Sequence, residues 1–299
     1  PTTFSVIDVF DIFEKRAIKY ITYVKDRRYN QQRQLMILDL IHDGSFGYIN
    51  QYGRVETSYD QGSFDFTISG SDGQVQFFPT KFSINDYDIT NVSYNLDDNL
   101  LSAGSTVIGN SLIHTESTVI SYGYSSTIVG ISSSYSSAKV LVQITADSFG
   151  GNEFEFTQLN IIHNGTDVSV TEYGQLTTSS GPSAVTGFGT YFAYISGSNL
   201  NVDFIPNSSV GIGSTGAINT ITVGLAKSTF SGPESIDMKH ARIESRTTSI
   251  ASTTTPMETV ISEYPCDGTY DVGYFMVQVR DSDNDAVSYT HLTLPTNGT

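Results

Sequence analysis

Alternation of apolar and polar positions recurs along this chain, and it predicts β-strands. Within 167–176, Val168, Val170, Gly174 and Leu176 point one way, and Ser169, Thr171, Tyr173 and Gln175 the other. Glu172 is the exception on the apolar side. A two-residue period over that length reads as a strand with one buried face. Ile49, Gly53 and Val55 keep the same parity earlier in the chain, from a weaker start at Gly47. The preceding strands change phase: Phe154 and Phe156 share one parity, Leu159 and Ile161 the other, and Leu35 against Leu38 and Leu40 repeats the switch. A β-bulge in those strands, one extra residue that turns the apolar set over, accounts for it. Asp43-Gly44 and Asn164-Gly165 predict hairpins with type I′ turns, because both central residues must tolerate positive φ. A further hairpin joins 191–195 to 200–206 through Ser196-Gly197-Ser198-Asn199, and later strands are expected at 220–225 and 238–250. The helix-like stretch 10–20 reads as a loop entering a strand. Its counterpart further on holds Pro265, Asp267, Gly268 and Asp271, which break helices.

The pattern is also repeated. Ile41-His42-Asp43-Gly44 and Tyr52-Gly53 return as Ile162-His163-Asn164-Gly165 and Tyr173-Gly174, each 121 residues later. Val75, Phe77 and Pro79 return as Val202, Phe204 and Pro206, now 127 later, so one loop has grown. A third copy opens at Tyr274-Phe275-Met276-Val277-Gln278-Val279, which is similar to Lys139-Val140-Leu141-Val142-Gln143-Ile144. The fold expected is all-β: tandem antiparallel sandwiches, jelly-roll-like, in repeats of about 125 residues. The divisions are 1–98 for the first repeat, 99–130 for a connecting segment able to supply strands, and 131–250 for the second repeat. Residues 251–286 then start a truncated third. The register predicts another apolar strand after Asp285, yet 287–299 instead resembles the translation of a transposase sequencing adapter. That stretch is expected to be foreign, with the natural protein continuing elsewhere and starting before residue 1.

Composition narrows the partners. With 15 Lys plus Arg and a net charge of −16, a nucleic-acid partner is not expected. The basic group Lys15, Arg16, Lys19, Lys25, Arg27, Arg28 and Arg33 has no evident counterpart in the second copy and reads as a solvated strand face or loop. Cys266 is alone, so no intrachain disulfide is expected, and no apolar run approaches the ~20 residues of a membrane helix.

Chemical motifs are weak when read in context. Gly211-Ile212-Gly213-Ser214-Thr215-Gly216 has dinucleotide-fingerprint spacing, but a strand-like stretch follows where a helix is needed. Ser136 and Lys139 have the spacing of certain acyl enzymes, which works on a helix, whereas Lys139 opens a strand. Glu153 and Glu155 could form an acid/base pair. They correspond to Gln32 and Gln34, however, so a solvated strand face is expected. His42 and His163, each before its turn, read as closing the hairpin by local hydrogen bonding, and His42, Asp43, Gly44, His163, Asn164 and Gly165 are structural turn residues. Asp281, Asp283 and Asp285 alternate as in a calcium loop but lack its Gly and distal Glu. No catalytic residue and no cofactor is expected.

The runs Leu159-Asn160-Ile161-Ile162-His163-Asn164-Gly165-Thr166-Asp167-Val168, Thr171-Glu172-Tyr173-Gly174 and Tyr194-Ile195-Ser196-Gly197-Ser198-Asn199-Leu200 resemble a repeat in virion structural proteins of marine tailed phages. The likeness covers most of 139–280 and, more weakly, 18–97. It implies a non-enzymatic fibre or surface appendage on the particle exterior, associated with other virion proteins and with copies of itself. The alternative is a carbohydrate-binding adhesin that uses Tyr48, Tyr122, Tyr124, Tyr191 and Tyr194 to stack on host glycans. A hydrolase is disfavoured, since no acid pair or nucleophile–base set recurs.

Overall fold

The computed structural model describes residues 4–29, 32–57, 59–80, 86–97, 103–121, 123–148, 151–179, 186–207, 216–226, 234–238, 241–245, 272–280 and 287–295. Its first unit consists of β1 (Ser5–Asp11), β2 (Lys15–Asp26), β3 (Arg33–His42), β4 (Gly47–Glu56), β5 (Gly62–Ser69), β6 (Asp72–Pro79) and β7 (Tyr87–Asp97). These make two antiparallel sheets ordered β4-β3-β2-β7 and β1-β6-β5. Next come β8 (Gly104–Ile108), β9 (Ser111–Ile120), β10 (Ser126–Ser132), β11 (Tyr135–Ser148), β12 (Gly151–His163), β13 (Val168–Thr177), β14 (Gly189–Ser196), β15 (Asn199–Pro206) and β16 (Gly216–Ala226). Their sheets run β13-β12-β11-β16-β9-β8 and β10-β15-β14. Strand for strand, the second unit repeats the neighbour order of the first, and β8 and β9 add two strands beyond β16. The chain is all-β.

Each unit closes over its own apolar core. Phe10, Tyr20, Met36, Leu38, Leu40, Phe64, Val75 and Phe77 fill the first. Val140, Val142, Leu159, Ile161, Phe188, Leu200, Val202 and Phe204 are among those that fill the second. A third core lies between the units, where Ala17, Ile41 and Leu96 meet Leu141, Phe154, Phe156 and Ile221.

That third core corrects the expected bulge in the strands before the His turns. β12 pairs with β11, and β3 with β2, without any break in register. Phe154 and Phe156 face the other unit while Leu159 and Ile161 face their own, so the strand is apolar on both sides without turning over. The extra residue sits one strand further out. From Phe156 to Gln158 β12 advances two residues while β13 runs three, from Leu176 back to Tyr173. The pair β3–β4 does the same between Leu35/Val55 and Ile37/Tyr52. Gly174 (φ 69°) and Gly53 (φ 62°) occupy these bulges in the left-handed conformation that only a residue without Cβ adopts readily. Leu176 is thereby turned away from Val168 and Val170: it packs on the inter-unit core and they on the unit's own.

The hairpin at Gly197-Ser198 joins β14 to β15 as expected, and β2 follows a short turn after β1. The single strand expected at 238–250 is instead the end of β17 (Glu234–Met238) and then β18 (Ala241–Ser245), paired with each other, while 246–250 lie outside the described residues. The last hairpin pairs β19 (Val272–Arg280) with β20 (Val287–Pro295), and β20 lies near β3, β4 and β12. β20 falls within the stretch that resembles an adapter.

Candidate functional site

The two His turns are four-residue loops rather than two-residue type I′ turns. Asp43 Oδ1 accepts the N–H groups of Ser45 and Phe46, both at 2.7 Å, and the Asp43 N–H reaches the Phe46 carbonyl at 3.0 Å. Asn164 Oδ1 accepts from Thr166 and Asp167 at 2.9 and 2.8 Å. These are Asx turns, with Gly44 and Gly165 at positive φ. His42 and His163 are buried. His42 Nε2 bonds the Lys15 carbonyl at 2.6 Å, and His163 Nε2 the Tyr135 carbonyl at 2.9 Å. A carbonyl can only accept, so Nε2 carries the proton. His163 Nδ1 is then free to accept the Gly165 N–H at 3.1 Å. The His therefore does more than close its hairpin: it ties the turn to the start of β2 or β11.

The polar groups that converge lie between the units. Lys19 and Asp39 are cross-strand neighbours on β2 and β3, and their side chains are 2% and 0% exposed. Lys19 Nζ lies 3.1 Å from Asp39 Oδ1, 3.0 Å from Gln158 Oε1 of the other unit, and against the Tyr52 hydroxyl. Gln158 Nε2 donates to Asp39 Oδ2 and, at 2.8 Å, to the Tyr52 oxygen, and Tyr52 in turn bonds Asp39. The second unit repeats the motif. Lys139 faces Asn160 across β11 and β12, its amine meets the Tyr173 hydroxyl, and it lies 4.9 Å from that ring's centre, as Lys19 does from Tyr52. Tyr274 of β19 approaches Lys139 at 3.4 Å. A cavity of about 20 Å³, space for about one water, is lined by Lys19, Tyr94, Lys139, Leu141, Val223, Tyr274 and Met276.

Burial dominates the electrostatics here. It pulls the Lys19 amine down and pushes the Asp39 carboxyl up, each against the attraction of the other. Lys139 is pulled down to about 7 by burial and by the charge of Lys19. The hydroxyls of Tyr52, Tyr173 and Tyr274 are all pushed up, mainly by burial.

Glu155 is a second buried acid, at the inner face of β12. It is fully buried, not on a solvated strand face as expected. Its Oε2 accepts from the Phe188 N–H at 2.8 Å and Gln175 Nε2 at 3.0 Å, while Oε1 has no hydrogen-bond partner among the described residues. In the first unit the equivalent Gln34 accepts from the Gln61 N–H at 2.8 Å and donates to the Gly62 carbonyl at 3.0 Å. A protonated Glu155 could donate as Gln34 does, and burial raises its pKa to about 7. Between the ordinary value of 4.5 and about 7 the folded state then binds more protons than the unfolded state, so stability falls as pH rises across that window. Glu155→Gln is expected to remove this decline and to exceed the wild type at pH 8 by roughly 1–3 kcal/mol in denaturant unfolding. A variant that still loses stability from pH 5 to 7 as the wild type does would contradict the assignment.

Other expected sites fall as follows. Lys19 is not on a solvated face, and Lys139 is its counterpart, contrary to the reading of the basic group as exposed and unrepeated. Lys139 lies inside β11 rather than at its start. Residues 211–215 lie outside the described residues, and Gly216 begins a strand. Asp281, Asp283 and Asp285, Cys266 and Tyr122 also lie outside them. Among the described residues no helix is long and apolar enough to cross a membrane. Comparisons with protein-family models, with curated proteins and with solved structures each returned no match.

Proposed function

We propose that this chain is a non-enzymatic structural protein of a tailed-phage virion, a repetitive fibre or surface appendage on the particle exterior. The observation that supports the reading is the joint. Two sandwiches with one strand order meet through their larger sheets, and the buried Lys19, Asp39 and Gln158 bridge that joint. Serial units of this kind form a stiff projection that multiplies weak contacts through avidity. Its partners would be other virion proteins and further copies of the chain. On the same reading 287–299 is foreign to the natural protein, which recovery of the full reading frame would test. Electron microscopy of purified virions with a repeat-specific antibody should decorate the particles. Label confined to host membranes would overturn the reading.

A glycan-binding adhesin is the second reading. One observation favours it: on β14, Phe192 is 57% exposed and stacks on Tyr194 at 5.7 Å, an aromatic face of the sort sugars pack against. Tyr48 and Tyr124 are also exposed, whereas Tyr191 packs on the second core and is withdrawn from the list of sugar-stacking residues. Saturable, selective signal on a glycan array that is lost in Phe192→Ala would support it, and a blank array would count against it.

A further inference from the structure

Lys19 and Asp39 are placed as reactants. They sit directly opposite on neighbouring strands, wholly inside the inter-unit joint, with the amine 3.1 Å from one carboxylate oxygen. We propose that this pair condenses to an intramolecular isopeptide bond between Lys19 Nζ and Asp39 Cγ. The inference stands independently of the proposed virion role.

The step balances without any outside reagent. A proton passes from Nζ to Oδ1 along their hydrogen bond, which leaves a neutral amine beside a carboxylic acid. Nζ then attacks Cγ. A second Nζ proton moves to the departing Oδ1, which leaves as water, and the Cγ–Oδ1 bond is replaced by Cγ–Nζ. Tyr52 is set to relay that second proton, since its hydroxyl touches both Nζ and the Asp39 carboxyl. Gln158 is set to hold the product. Its Oε1 already accepts from Nζ at 3.0 Å and its Nε2 already donates to Oδ2, the oxygen that would remain as the amide carbonyl.

The surroundings favour this direction. Two ions buried together carry a desolvation penalty that their attraction only partly offsets. Condensation removes both charges and leaves an amide whose N–H and C=O have partners in place. Burial also drives Lys19 and Asp39 toward the neutral forms that react. The product would tie β2 to β3 covalently at the joint.

Mass spectrometry of the full chain, expressed, folded and then denatured, tests this. The expected mass is lower than the sequence mass by one water, with a branched proteolytic peptide joining the segments that hold Lys19 and Asp39. Asp39→Asn would expel ammonia instead and arrive at the same final mass as the cross-linked wild type. Tyr52→Phe keeps the ring and removes the relay, so its cross-link should accumulate roughly a hundredfold more slowly with unchanged circular dichroism. A folded wild type that retains its full sequence mass would overturn the proposal. So would a loss of water that persists in Lys19→Arg.

Discussion

Replacing Asp39 with Ala is expected to destabilise the protein, relative to wild type in its uncondensed, ion-paired form, by about 3–5 kcal/mol, the range for removing one partner of a buried ion pair. Asp39 is fully buried and serves three neighbours: Lys19 at 3.1 Å, Gln158 Nε2 and Tyr52. Without it, Lys19 is left beside the apolar residues of the joint, and Gln158 and Tyr52 each lose an acceptor. The double replacement Lys19→Met with Asp39→Leu should recover much of that loss, because it removes the charge along with its partner. Chemical denaturation read by circular dichroism measures both. An Asp39→Ala variant within about 1 kcal/mol of the wild type would place the pair in water instead.

The second large effect belongs to the apolar part of the same joint. Phe156→Ala should cost about 3–5 kcal/mol, as expected when a fully buried aromatic is truncated. Phe156 is 0% exposed and packs with Phe154 and Leu141 of its own unit against Ala17, Ile41 and Leu96 of the other. Phe192→Ala, at a ring 57% exposed on β14, is the matched control and should change stability by less than about 1 kcal/mol. Equal effects at the two positions would mean that the large sheets do not bury one another.

The fold was readable wherever alternation met a turn motif. His42-Asp43-Gly44 and His163-Asn164-Gly165 announced two copies of one hairpin, and the shared strand order of the two units agrees with that duplication. The covering of a strand's second face was not readable. Phe154 and Phe156 look like a phase error when only one core is imagined, and a sequence does not say that another unit packs on the far side. The same one-sided pattern puts the bulge a strand too early, although Gly53 and Gly174 mark its true position.

The candidate site was hidden by a slip of one residue. Lys19 and Asp39 stand 20 residues apart, Lys139 and Asn160 stand 21 apart, so the 121-residue step that aligns the His turns carries Lys19 to Val140 instead of Lys139. With the slip corrected, a lysine repeated at the centre of an apolar strand would have pointed inward. Its alignment with Gln34 makes Glu155 look like a surface residue, whereas both receive a buried backbone N–H. Local pattern reveals parity within one strand, but not what packs on each of its faces.

The account depends on the two units meeting through Asp39 and Gln158, which lie 119 residues apart in sequence. A double-mutant cycle on Asp39→Ala and Gln158→Ala, scored by unfolding free energy, addresses that contact together with the Lys19 and Tyr52 groups that both residues bond. Coupling of about 1 kcal/mol or more is predicted, and additivity within about 0.3–0.5 kcal/mol, the behaviour of residues that do not touch, would contradict it.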